Sequence, residues 1–71
     1  MNNDSHSLII LTNRDGWHVV ESFLTFEEAQ TVSRWWNAKP GRCLEARAIT
    51  GDWDMAIEEC NGLNEARQAS R

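Results

Sequence analysis

Residues 24–40, LTFEEAQTVSRWWNAKP, decide how the rest of the chain is read, because both ends of a helix are written in them. Thr25 followed by Glu28 has the spacing of a capping box, in which hydroxyl and carboxylate satisfy orphaned N–H groups of the first turn. Phe26, Ala29, Val32, Ser33 and Trp36 then recur at helical spacing and form one core-facing stripe, with Trp35 at its edge beside Glu28 and Lys39. The run Ala38-Lys39-Pro40-Gly41 closes the helix, since Pro40 disfavours helical geometry at Lys39 and Gly41 permits a sharp exit.

Upstream, Ser7–Thr12 (SLIILT) is a short apolar run of the kind found in a strand covered on both faces. Asn13-Arg14-Asp15-Gly16 supplies turn chemistry, and Trp17–Phe23 (WHVVESF) reads as a second strand, so the two make a β-hairpin. Regular alternation places Trp17, Val19, Glu21 and Phe23 on one face and His18, Val20 and Ser22 on the other. Downstream, Arg42–Ile49 alternates as a third strand, with Leu44, Ala46 and Ala48 inward and Glu45 and Arg47 outward. Trp53–Asn61 reads as a second helix, capped by Asp52 or Thr50 and stopped by Gly62, with Trp53, Ala56, Ile57 and Cys60 on its inner stripe. The fold class that follows is α+β: a three-stranded antiparallel sheet in spatial order 2-1-3 with two helices on one or both faces, order ββαβα. The 71 residues make one small domain, with residues 1–6 and 64–71 expected to fray.

Composition narrows function more by exclusion than by indication. Eleven acids against seven bases give a net charge of −4, which disfavours direct grip on nucleic-acid phosphates and favours a basic protein surface as partner. Arg34, Lys39, Arg42 and Arg47 are scattered rather than gathered into a stripe. Neither a membrane span nor a leader peptide is legible, so the expected location is cytoplasmic and both thiols, Cys43 and Cys60, are expected to be reduced. A strand followed by an antiparallel helix brings those two cysteines to the same side of the domain. Without C-x-x-C or H-x-x-x-H spacing they nevertheless read as small buried hydrophobes, and no metal or cofactor is expected. Two histidines outside any motif and no Gly-rich phosphate loop give no catalytic constellation, so no enzymatic activity is expected.

The charge is local. From Ala48 to Ala66 there are five acids, Asp52, Asp54, Glu58, Glu59 and Glu65, and no base, whereas Met1–Leu44 is nearly neutral. On helical spacing Asp52, Asp54, Glu58 and Glu59 project away from the inner stripe with Met55 among them, giving a negative ridge around an apolar residue. Such a ridge is either the solvated face of a surface helix or a surface that competes for a cationic groove. Trp35 is either the rim of the core or an interface anchor. In size, single-domain α+β character, acidity and the Asp52–Glu59 ridge, the chain resembles small phage-encoded anti-CRISPR proteins, a resemblance of profile that rests on no shared motif. It implies a stoichiometric inhibitor that docks on a CRISPR effector complex and blocks target DNA, with Asp52, Asp54, Met55, Glu58, Glu59 and Trp35 in contact. The competing expectation is a small homodimeric interaction module that buries tryptophan surface and plays no part in nucleic-acid competition.

Overall fold

The computed structural model describes residues 5–38, 41 and 43–69. Strand β1 (His6–Thr12) turns through residues 13–15 into β2 (Gly16–Leu24); helix α1 (Phe26–Asn37), β3 (Glu45–Thr50) and helix α2 (Trp53–Ala69) follow. The sheet is antiparallel throughout in the order β2-β1-β3, which makes the fold α+β with the expected ββαβα succession. The helices lie on opposite faces. Leu8, Ile10, Leu24, Ala29 and Ala46 form the core under α1, with Val20, Val32 and Trp36 against it, and Ile9, Trp17, Ala56 and Cys60 form the core under α2. Because successive side chains of a strand point to opposite faces, only an uninterrupted apolar run can serve both layers. Leu8 and Ile9 do so, and both are fully buried.

Helix α1 starts as its sequence predicts. Thr25 Oγ1 accepts from the Glu28 amide at 3.1 Å while Glu28 Oε1 accepts from the Thr25 amide at 2.9 Å. It ends at Asn37 with Ala38 as its C-cap; Lys39 and Pro40, on which the expected stop relied, lie outside the described residues, as do Arg42 and residues 1–4 and 70–71. Phe26 departs from the expected core stripe: it is 58% exposed at the first helical position, its ring edge-on to His6.

Three boundaries are corrected. His6, expected to fray, is the first residue of β1 and pairs with both Leu24 and Thr50. β3 begins at Glu45, and Leu44, expected inward, is exposed while its amide donates to the Leu11 carbonyl at 2.8 Å. Helix α2 runs straight through Gly62, so residues 64–69, expected to fray, are helical. The face alternation of β2 also breaks. Its register against β1 slips between His6 and Leu8 and again between Leu8 and Ile9, so β2 carries extra residues at two bulges. Trp17 and Val19 face α2 and Val20 faces α1, as regular alternation places them, but in the bulged stretch Ser22, expected on the face of Val20, reaches the buried Ser7 at 2.9 Å, while Leu24 faces α1. Phe23 takes a φ of 60° within this irregular stretch.

What fixes each helix to the sheet is one asparagine. The Asn64 carboxamide on α2 accepts from the Trp17 amide at 2.8 Å and donates to the Trp17 carbonyl at 3.0 Å. The Asn37 carboxamide at the end of α1 does the same to Ala46 on β3, accepting at 2.8 Å and donating at 3.1 Å. Both strands are sheet edges, and each carboxamide therefore occupies backbone groups that a neighbouring strand would otherwise pair. Gly16 is part of the device, since a Cβ there would meet Asn64 Oδ1 at 2.6 Å.

Each carboxamide contributes two hydrogen bonds of roughly 0.5–1.5 kcal/mol net. Asn64→Ala and Asn37→Ala are each expected to lower stability by about 1–3 kcal/mol in urea denaturation. Amide exchange at Trp17 and Ala46, respectively, is expected to accelerate in these variants. Gly51 gives a second test, because its φ of 135° suits glycine alone and a Cβ there would lie 2.8 Å from Met55 Cβ. Gly51→Ala is expected to cost about 2 kcal/mol, read from the same denaturation curve.

Candidate functional site

The buried stripe of α2 is Ala56 and Cys60, continued by the half-buried Leu63 and Asn64. Trp53 and Ile57, expected on that stripe, lie on its shoulder instead, 43% and 40% exposed. The reason is lateral: α2 sits mainly over β2, and Asn64 pins it to the sheet edge, so one flank of the helix overhangs β2. Beneath the overhang is an open cleft of about 280 Å³ lined by Trp17, His18, Val19, Trp53, Ile57, Cys60 and Asn61.

The sequence-derived residues take three positions on this helix and one on α1. Asp52 caps it: its Oδ1 accepts from the Met55 amide at 3.1 Å and its carbonyl from the Ala56 amide at 2.9 Å. Asp54 and Glu58 stand on the outer row, which continues through Asn61 to Glu65 at helical spacing and is exposed along its length. Met55 and Glu59 are exposed on the flank opposite Ile57, with Met55 over Gly51. Trp35 is elsewhere. It is 53% exposed on α1, edge-on to Trp36 at 5.4 Å, in the layer on the other side of the sheet. A single flat contact therefore does not include both Trp35 and the α2 carboxylates.

No arginine among the described residues forms an ion pair with the row. Among the described residues the one ion pair is Arg47 to Glu45 at 2.6 Å, both on β3. Arg47 also lies over the Trp17 ring, 4.7 Å from its centroid, closing that indole from the side α2 leaves open. Arg67, in the last turn of α2, lines a separate polar hollow at the hairpin turn with Arg14 and Asp15.

The cysteines are not brought together. Cys43 packs in the α1 core and Cys60 in the α2 core, so the sheet separates them, which corrects the expected proximity; both are free thiols. Among the described residues no group of three His, Cys, Asp or Glu side chains is arranged to hold a metal ion, and no helix is long and apolar enough to cross a membrane. Burial first and the neighbouring Glu59 charge second push the Cys60 thiol up from its ordinary value.

Sequence reading missed Trp53, Ile57 and Asn61 as surface residues because helical periodicity fixes which side chains share a face but not where the partner layer ends. Their neighbourhood is an aromatic and aliphatic cleft bordered by an acidic row that, among the described residues, makes no ion pair. Comparison with known protein families, curated proteins and solved structures finds no match.

Cys60, buried and with a raised pKa, is expected to react with a thiol-alkylating reagent only as the domain opens, whereas half-buried Cys43 reacts in the folded state. Because the unfolded thiol ionises at lower pH than the folded one, the Cys60 contribution to stability is intact below the ordinary thiol range and is lost as pH rises through the folded value. Time-resolved mass spectrometry of the alkylated protein, in water and in sub-denaturing urea, checks the order of labelling.

Proposed function

We propose that the protein is a non-enzymatic, protein-binding inhibitor whose α2 surface occupies a basic groove that normally holds nucleic-acid phosphates. In the anti-CRISPR-like form of this reading the groove belongs to a CRISPR effector complex, and occupancy excludes target DNA. The observation that carries it is the outer row of α2: Asp54, Glu58 and Glu65 face solvent on one line about 16 Å long at the helical rise, with no cation paired to them among the described residues. Fixed charges on a rigid helix raise the rate of encounter with a groove of opposite sign and misalign with negative competitors.

Charge alone falls short of tight binding. An exposed ion pair contributes roughly 0.2–1 kcal/mol, so a handful of them stays well below the ~8 kcal/mol that micromolar affinity requires. Apolar contact beside the row has to supply the remainder, and the α2 shoulder offers Trp53 and Ile57 for it.

The alternative reading, a homodimeric interaction module, draws on Trp35 and Phe26 exposed on the α1 layer. The two readings separate in one comparison. Asp54→Lys, Glu58→Lys and Glu59→Lys combined are expected to lower inhibition of target-duplex binding by a guide-loaded effector complex at least tenfold, with the circular dichroism spectrum unchanged, and raised salt is expected to weaken the wild type. If inhibition is absent in the wild type while Trp35→Ala halves the mass in solution, the dimeric module is the correct reading.

A further inference from the structure

The cleft between α2 and β2 has the chemistry of a receptor for one particular side chain. Its walls are the Trp53 indole, Ile57 and Val19, its floor is formed by Trp17 and Cys60, and Asn61 stands at its mouth. Asn61 also belongs to the outer row with Asp54 and Glu58, so the apolar wall and the negative rim are one continuous surface. A long apolar stem ending in a delocalised cation satisfies both parts: the stem covers Ile57 and Val19, and a planar guanidinium stacks on indole while its N–H fork reaches the carboxylates. The molecule already makes such a contact nearby, where Arg47 lies over the Trp17 ring at 4.7 Å.

We infer that this cleft is the anchor point of the partner and takes an arginine side chain from a cationic segment; this rests on the proposed docking role of the α2 surface. Two other occupants fit less well. A second copy of the chain would bring an identical acidic row against this one across a two-fold axis. An added β-strand would need the Trp17 amide and carbonyl, which Asn64 holds.

The test uses ¹⁵N-labelled protein and two octapeptides of equal charge, alternating arginine with glycine or lysine with glycine. The arginine peptide is expected to shift the Trp53 indole N–H signal and to bind at least about threefold more tightly than the lysine peptide. Trp53→Ala and Ile57→Ser remove that preference, and Trp53→Phe retains part of it. Asp54→Asn with Glu58→Gln weakens both peptides. Equal binding of the two peptides, with shifts confined to the amides of Asp54, Glu58 and Glu65, overturns the cleft and leaves the acidic docking surface standing. Absence of any shift with either peptide overturns both. Concentration-dependent broadening of cleft signals without peptide, together with a doubled mass, assigns the cleft to a second copy and also overturns the inference.

Discussion

Two side-chain amides hold this domain in register. A sheet of three strands has two open edges, and each helix here closes part of one by presenting an asparagine carboxamide to both backbone polar groups of a single residue, Asn37 to Ala46 and Asn64 to Trp17. Hydrophobic burial brings a helix to a sheet face but is indifferent to sliding along it. A two-point hydrogen bond is not. Each carboxamide therefore converts a greasy contact into a fixed position, and because the two bonded strands lie on opposite edges, α1 is drawn over β3 and α2 over β2. This diagonal cover leaves part of each face open. On the α2 face the open part of β3 carries Arg47 and Glu45, paired to each other, and the overhanging flank of α2 makes the cleft.

That arrangement explains which features were legible in the sequence. The capping box, the hairpin turn, the doubly apolar first strand and the order of elements are all local or pairwise-adjacent signals, and they specify the fold class and strand order. The asparagine contacts are not local: Asn64 and Trp17 are 47 positions apart, and asparagine within a helix reads as a mild weakness rather than as a tie. Gly62 looked like a stop because a mid-helix glycine costs about 1 kcal/mol relative to alanine. Two hydrogen bonds at Asn64 and the packing of Leu63 against the α2 core, one turn or less beyond it, outweigh that cost. The bulges of β2 escaped for a different reason, since alternation carries no mark of an extra residue. The result is that Ser22 faces Ser7, whose hydroxyl also donates to the Gly51 carbonyl at 2.7 Å, tying the hairpin to the turn that launches α2.

For the candidate site, the sequence correctly marked Asp54 and Glu58 as outward but grouped them with Trp35, which the sheet places in the opposite layer. The aromatic residue that borders the carboxylates is Trp53, their immediate neighbour in sequence, which was read as core because its spacing matches Ala56 and Cys60.

The acidity of α2 has two physical sources that can be told apart. Asp52 bonds the Met55 amide, and Asp54 stands in the first turn where the helix dipole favours negative charge, so local stability accounts for both. It does not account for the remainder. Asp54 and Glu58 are like charges one turn apart, which costs a few tenths of a kcal/mol. Glu65 lies in the half of the helix where the dipole favours cations. The charge that the helix itself does not need is thus Glu58, Glu59 and Glu65, of which Glu58 and Glu65 stand on the outer row beside Asn61 at the mouth of the cleft. Folding alone gives no reason for that portion, and the alignment of Glu58 and Glu65 with an aromatic cleft is the feature on which the proposed cationic partner rests.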